Sequence, residues 1–455
     1  MYQLPNSALV HDFILSLSDN YSKTYELIQD PRENDLVKRG LRNADGTGVM
    51  AGYTQIGNVT GYAMMDGERV PLEGRLTYRG YNILSLINGF TSDNRFGFEE
   101  IAYLLLLGEL PNREQLKTFQ DILFENMELP PNFTEDMILK HPSNDVMNKL
   151  SRSVLTLYSS DDDPDSLETA NLLRQAFQLI ARFPPIVAYA YAVKRHYFDN
   201  DGLYLNRQQP GLSLAENFLH LIRGNAGFTE QEAKLLDLCL VLHAEHGGGN
   251  NSTFTCRVLS STGTDTYSAI GAAIGSLKGP KHGGANRAVM RQFTEAQSLI
   301  SDWNDDDAVR DYLRKVLRKE AGDGSGLIYG MGHAIYTLSD PRAVALKSAA
   351  RSLAAETGFL DDLELMESIE RLTPSVFAEV TGNSKVMCAN VDMYSGLVYR
   401  MLGIPDELFT PLFAISRITG WCAHRIEEVI TGGRIIRPAY KAIMPARPYH
   451  TIDDR

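Results

Sequence analysis

Apolar positions over most of this 455-residue chain recur at helical spacing, and the residues between them are those that start and stop helices. Phe98 to Leu107 is apolar, with Glu99 and Glu100 in the first turn, where carboxylates suit the positive end of the helix dipole. Gly108-Glu109-Leu110-Pro111 then predicts its stop. Thr229-Glu230-Gln231-Glu232 fits a capping box that opens a helix through Leu235, Leu236, Leu238 and Leu242 toward His243. The small residues from Ser268 to Ser276 predict a buried helix or a subunit contact, because another backbone can approach them closely. Asp305-Asp306-Asp307 predicts the cap of a helix through Leu317, with a metal role as the alternative, and Asp340-Pro341 places an N-cap before a proline at the first helical position. Residues 50–82 are the exception. Short β-prone pieces, Tyr53-Thr54-Gln55-Ile56 and Gly61-Tyr62-Ala63-Met64, lie around Asp66-Gly67, a hairpin turn signal.

This length exceeds one ordinary core and suits two domains, or one large domain with an inserted lobe. The formal net charge of -13 argues against general nucleic-acid binding, so an anionic substrate must be met by a local cluster of basic residues. Cys239, Cys256, Cys388 and Cys422 form no CxxC pair and read as reduced thiols. Met1 to Asp30 carries Asp12, Asp19, Glu26 and Asp30 and no basic segment followed by an apolar one, which disfavours a secretory or transit peptide. No apolar run in the sequence approaches the ~18 residues of a membrane span. The expected location is cytoplasmic.

The chemistry concentrates where polar residues meet glycine near helix ends. In Leu277-Lys278-Gly279-Pro280-Lys281-His282-Gly283-Gly284-Ala285-Asn286, a histidine stands between a Gly-Pro break and a Gly-Gly step, before a helical pattern resumes at Asn286. A helix N-terminus disfavours added positive charge, so His282 is expected as a neutral hydrogen-bond donor to a carbonyl that becomes an enolate. His243-Ala244-Glu245-His246 ends a helix against Gly247-Gly248-Gly249-Asn250; His243 reads best as a satisfied core or surface residue, and its spacing from His246 is one short of the HExxH zinc geometry. Gly330-Met331-Gly332-His333 is followed by Arg342, and Asn390-Val391-Asp392 by Met393-Tyr394-Ser395-Gly396, where an N-cap role is the alternative for Asp392. Arg417 lies in an apolar helix, where a buried guanidinium needs an anionic partner, while Arg437 alone would pass as a surface charge.

Taken in order, these segments resemble citrate synthase. The resemblance runs from Gly74-Arg75-Leu76-Thr77-Tyr78-Arg79-Gly80-Tyr81 to Arg437-Pro438 and rests on LHAEHGGGNNST, GPKHGGAN, GMGHAIY with DPRA after it, NVDMYSG and SRITGW. It implies a mainly α, two-domain helical fold with a small β-hairpin region near the N-terminus: residues 1–282 and 398–455 in a large domain, and 283–397 in a small domain that closes over the active site. It implies condensation of acetyl-CoA with oxaloacetate and thioester hydrolysis to citrate and CoA, a tricarboxylic acid cycle reaction, with no metal and no permanently bound cofactor. Asp392 then matches the base, His282 the enol-oxygen donor and His333 the group that polarises the ketone. His246, Arg342, Arg417 and Arg437 match oxaloacetate binders, the last reaching the partner's site in a homodimer.

The chain departs from many relatives in carrying Leu327, Ala334 and Thr337 where residues that meet CoA phosphates are often basic. Lys278 and Lys281 are the candidate substitutes, with solvated loop lysines as the alternative. The first fifty residues have no clear counterpart. The competing readings are 2-methylcitrate synthase acting on propionyl-CoA, a non-catalytic helical scaffold of the same fold, and a metal hydrolase built on His243 and His246.

Overall fold

A computed structural model of the chain describes residues 37–440, 442 and 446–454. The expectations about Met1 to Asp30 lie outside the described residues. The stretch up to Tyr53 separates as a unit of its own, whose described part holds a 3-10 turn at Arg39–Leu41 and an Arg42–Gly48 bridge.

From Thr54 onward a three-stranded antiparallel sheet comes first, with β1 at Gly57–Met65, β2 at Glu68–Tyr78 and β3 at Tyr81–Asn82. Its hairpin turns at Asp66 and Gly67, both at positive φ (52° and 84°), as the Asp-Gly signal predicts. The expectation for Tyr53 to Ile56 is corrected: these residues form no strand, and the Gln55 amide bonds the Glu427 carboxylate instead of a neighbouring strand.

The rest of this unit is almost wholly helical. The α-helices are α1 Ile83–Ser92, α2 Phe98–Leu107, α3 Arg113–Glu125, α4 Val146–Leu157, α5 Thr169–Phe198, α6 Leu214–Arg223, α7 Glu230–His243 and α8 Asn251–Ser260. They continue as α9 Thr266–Lys278, α10 Ala285–Leu299, α11 Asp306–Leu317, α12 Pro341–Thr357, α13 Leu360–Thr381, α14 Asp392–Met401 and α15 Phe409–Ile430. The predicted punctuation is where the helices begin and end. Gly108 caps α2 in the left-handed region, the Thr229/Glu232 box closes reciprocally on α7, and Asp305 and Asp340 cap α11 and α12.

α15 is buried on nearly every face and packs against α2, α5, α7, α8 and α9, so it forms the axis of the core. The small-residue helix α9 packs on α4, α8 and α15, with Gly271 against Leu155, which is the buried-helix alternative of the two foreseen for it. α5 departs from the expectation that no segment approaches membrane-span length. It is long and apolar enough, yet two-thirds of its apolar window is buried inside the protein, as in a core helix. α10 to α14 pack mainly on one another, α10 and α12 each against α14 and α11 against α13.

The sheet carries a loop of the site. A Cβ on Gly61 would stand 2.6 Å from the Ile335 carbonyl oxygen, and one on Gly74 would stand 2.1 Å from that of Ser339. Glycine at both positions therefore lets residues 335–339 lie directly on the strands. The Thr337 hydroxyl donates to the Gly61 and Leu72 carbonyls, and the Gly74 amide donates to the Ser339 hydroxyl.

Candidate active site

His246 follows the end of α7. The Glu245 carboxylate accepts the Gly247 amide at 2.5 Å, which closes a turn around His246, and Gly247 completes it at φ +78°. The His246 Nε2 atom is shielded from solvent and has no hydrogen-bond partner among the described residues. Burial, then the charge of Arg342, holds this ring well below the usual histidine range, so it is neutral near pH 7. Of the core and surface alternatives, His243 takes the core one. Its Nδ1 lies 2.8 Å from the Cys239 carbonyl, and burial pushes it down to about 3.

His333 faces His246 edge-on, with ring centroids 5.1 Å apart, and Tyr336 contacts both rings. The Ile335 and Tyr336 amides donate to His333 Nδ1 at 3.0 and 3.1 Å. With Nδ1 an acceptor, the ring's hydrogen sits on Nε2, a donor suited to a carbonyl oxygen.

The His333 loop is joined to the segment before α14 by a short bridge. Met331 pairs with Ala389, Gly332 N donates to Cys388 O, and Asn390 N donates to Gly330 O. The Asn390 amide also donates to Gly332 O, while its oxygen accepts the Asp392 amide. Asn390 thus takes the capping bond, and the Asp392 carboxylate makes no cap, contrary to the alternative considered for it. Burial raises this carboxyl to about 6, against the opposing influence of Arg342 and Arg417.

His282 stands in the turn between α9 and α10. Thr410 at the head of α15 donates to the Gly283 carbonyl, and a Cβ on Gly283 would lie 2.4 Å from the Leu277 oxygen. The helix of His282 begins only at Ala285, so burial first, then Arg417, lowers this ring to about 4. Its Nε2 lies 2.9 Å from the Ser252 hydroxyl, which also accepts from Trp421 Nε1. Ser252 Oγ also lies 3.1 Å from Asn250 Oδ1, so its single proton has two acceptors within reach, and the form in which His282 Nε2 receives it is the one that leaves the ring's hydrogen on Nδ1. α10 and α14 cross at Gly396, and Asn286 donates to Ser395, so the His282 and Asp392 segments share a packed interface.

Two buried guanidinium groups complete the cluster. Arg342 is held bidentately by Asp340 and lies over the Tyr336 ring. Arg417 donates Nε–H to the His243 carbonyl, packs over Phe413 and forms no ion pair among the described residues; burial lowers it to about 10. A buried cation so placed awaits an anion. Arg437 is not brought to the others: it is exposed on the extended segment after α15, which is tied to α8 through Ile436 N and Ser261.

Beside the His282 turn lies a cavity of about 570 Å³ bordered by Lys278, Arg287, Arg291, Glu295, Asp323 and Tyr329. Lys278 borders it but also pairs with Asp145 at 3.2 Å, and Lys281 is exposed and does not line it. Arg287 and Arg291 escaped the sequence reading; their four-residue spacing on α10 is the signal that puts both on one face. Ser252 and Tyr336 were also missed, although both lie inside motifs already singled out. The site can hold an anion, polarise a carbonyl and remove a proton from carbon.

The family model described as citrate synthase, C-terminal domain, matches residues 44–439. A 2-methylcitrate synthase of Shewanella oneidensis is 36% identical over 375 residues, covering 82% of this chain and 90% of that protein. A citrate synthase of Synechocystis sp. is 34% identical over 416 residues, covering 89% and 90%. Among solved structures, citrate synthase from Thermoplasma acidophilum, in a ternary complex with carboxymethyl coenzyme A and oxaloacetate, has a TM-score of 0.76 and 28% identity over 93% of this chain and all of that one. The matched span contains the whole cluster from His246 to Arg417 and the mainly helical architecture around it, and on this ground the chain belongs to the citrate synthase family.

Proposed function

We propose that the protein condenses acetyl-CoA with oxaloacetate and hydrolyses the resulting thioester to citrate and CoA. The observation that carries this reading is Asp392: a half-buried carboxylate with no capping duty, joined by backbone to the loop of a carbonyl-polarising histidine.

In this reading Arg342 and Arg417 hold the carboxylates of oxaloacetate, and guanidinium forks suit that task. Asp392 takes a proton from the acetyl methyl group while His282 Nδ1–H stabilises the oxygen that becomes enolate. The enolate carbon attacks the oxaloacetate ketone, polarised by His333 Nε2–H with His246 beside it. The new alkoxide is protonated, and water then cleaves the thioester to release CoA. A carboxylate raised to about 6 is a stronger base than ordinary aspartate and is still mostly ionised at neutral pH.

Residues 283–397 act as the small domain that closes over the substrates; closure keeps water from the thioester until the carbon bond has formed. The CoA phosphates fit the Arg287 and Arg291 side of the cavity next to the His282 turn, away from Glu295 and Asp323. This offsets Leu327, Ala334 and Thr337, the last of which spends its hydroxyl on the hairpin. The protein works in the cytoplasm as a homodimer in which Arg437 enters the partner's site.

The 36% identity to a 2-methylcitrate synthase favours a second reading with propionyl-CoA. One methylene in an acyl pocket is worth only about 1–3 kcal/mol. CoA-thiol release from purified protein with oxaloacetate and each thioester, compared as kcat/KM, tests both. Higher kcat/KM for acetyl-CoA supports citrate synthase, higher kcat/KM for propionyl-CoA supports 2-methylcitrate synthase, and no oxaloacetate-dependent release with either refutes both.

A further inference from the structure

Behind His246 a buried polar chain runs across the core to the start of the sheet. Glu245 Oε1 accepts both the Gly247 amide and, at 2.9 Å, His424 Nε2 on α15. On the other side of that ring, Arg257 of α8 directs Nε and Nη2 at His424 Nδ1, at 3.0 and 2.7 Å. Nδ1 therefore accepts, Nε2 carries the hydrogen, and the ring donates to Glu245. Arg257 is fixed in turn by Glu427 and Glu428, and Glu427 accepts the Gln55 amide just before β1.

The fit around Glu245 leaves no freedom. A Cβ on Gly57 would lie 2.8 Å from Glu245 Cγ, and a Cβ on Gly420 would lie 2.7 Å from Oε2 and 2.4 Å from the Ala244 carbonyl. Glu245 and His424 are both fully buried. A buried carboxylate that accepts the amide two residues ahead determines the backbone of the residue between them, and that residue is His246.

We propose that Glu245, aligned by His424 and Arg257, is a positioning residue that sets the orientation of His246 for oxaloacetate. The inference rests on the reading of His246 as an oxaloacetate binder. His424 touches no substrate and acts through Glu245; the chain supplies orientation from behind, as outer hydrogen bonds do for ligating histidines at metal sites.

The test compares His424→Leu with His424→Gln, whose amide can still donate to Glu245 and accept from Arg257. Oxaloacetate affinity is read by calorimetry without thioester, and KM values by thiol release. His424→Leu is expected to weaken oxaloacetate binding about tenfold or more, the loss that follows from leaving buried groups unpaired. The acetyl-CoA KM is expected to stay within about twofold and His424→Gln to recover most of the affinity. Wild-type oxaloacetate affinity in folded His424→Leu overturns the proposal, as does equal weakening of both substrates without rescue by glutamine. If the leucine variant does not fold, His424→Asn, too short to span Arg257 and Glu245, replaces it with the same outcomes. Wild-type protein that fails to bind oxaloacetate overturns the functional reading and this proposal together, whereas normal wild-type binding with an unaffected variant overturns this proposal alone.

Discussion

Asp392→Asn removes a charge that the fold accommodates at a loss. The carboxyl is raised from its usual 3.8 to about 6 because burial opposes ionisation more than Arg342 and Arg417 favour it. At RT ln 10 per pH unit, that distance corresponds to about 3 kcal/mol. The folded protein holds this proton at pH values where the unfolded chain has released it, so stability falls as pH rises from 3.8 to about 6, and the full penalty stands above that. Asparagine keeps the shape without the charge. The variant is expected to gain about 1–3 kcal/mol near pH 7.5, with the upper figure a ceiling because Asp392 is only partly shielded from solvent, and the gain should shrink toward zero as pH approaches about 4. Turnover should fall by roughly 10²–10⁴-fold, the usual contribution of a general base. In the wild type, kcat/KM should decline as pH drops through about 6. Urea unfolding followed by fluorescence at both pH values, with thiol release in parallel, measures all three. Equal unfolding midpoints near neutral pH, or a flat kcat/KM through 6, would falsify the argument.

Arg417→Ala should raise the oxaloacetate KM by about 100-fold, since a buried charged contact is lost, while the acetyl-CoA KM changes little; steady-state kinetics in both substrates would show a parallel rise if the residue were merely structural. Ser252→Ala removes the partner of His282 Nε2 and should lower kcat about tenfold with oxaloacetate affinity unchanged, an outcome that calorimetry and single-turnover rates can contradict. Gly420→Ala gains about 1 kcal/mol of helix propensity but drives a methyl group into the Ala244 carbonyl and Glu245. A net loss of about 2 kcal/mol in urea unfolding is expected, and unchanged stability would show that α15 can shift to make room.

Much of this was legible because the signals are local. The box at Thr229, the Asp-Gly turn at 66–67 and the stop at Gly108 each depend on residues within one turn of the feature they produce. His246, His282, His333 and Asp392 were singled out through motif order and glycine punctuation, with family resemblance supplying the proposed roles. What escaped depends on distant packing. Nothing near Gly61 or Gly74 says that residues 335–339 will lie on them, and nothing near His424 says that Arg257 faces it. Thr54 to Ile56 has β-forming composition, yet the Gln55 amide bonds Glu427, far away in the chain, and the Ile56 amide bonds the Thr54 hydroxyl. Arg417 was singled out because a charge within an apolar helix is anomalous from sequence alone, whereas the exposed Arg437 remains outside the cluster.

The bridge between Met331 and Ala389 has a consequence for how this enzyme can change. In the proposed reaction it makes the alignment of His333 with Asp392 a property of main-chain pairing, set by Gly330, Gly332 and Asn390. Substitutions that enlarge or narrow the acyl pocket can therefore accumulate while the reacting carbons still meet in register. Under the proposed function, such insulation would let two-carbon and three-carbon thioesters be exchanged as substrates without rebuilding the chemistry.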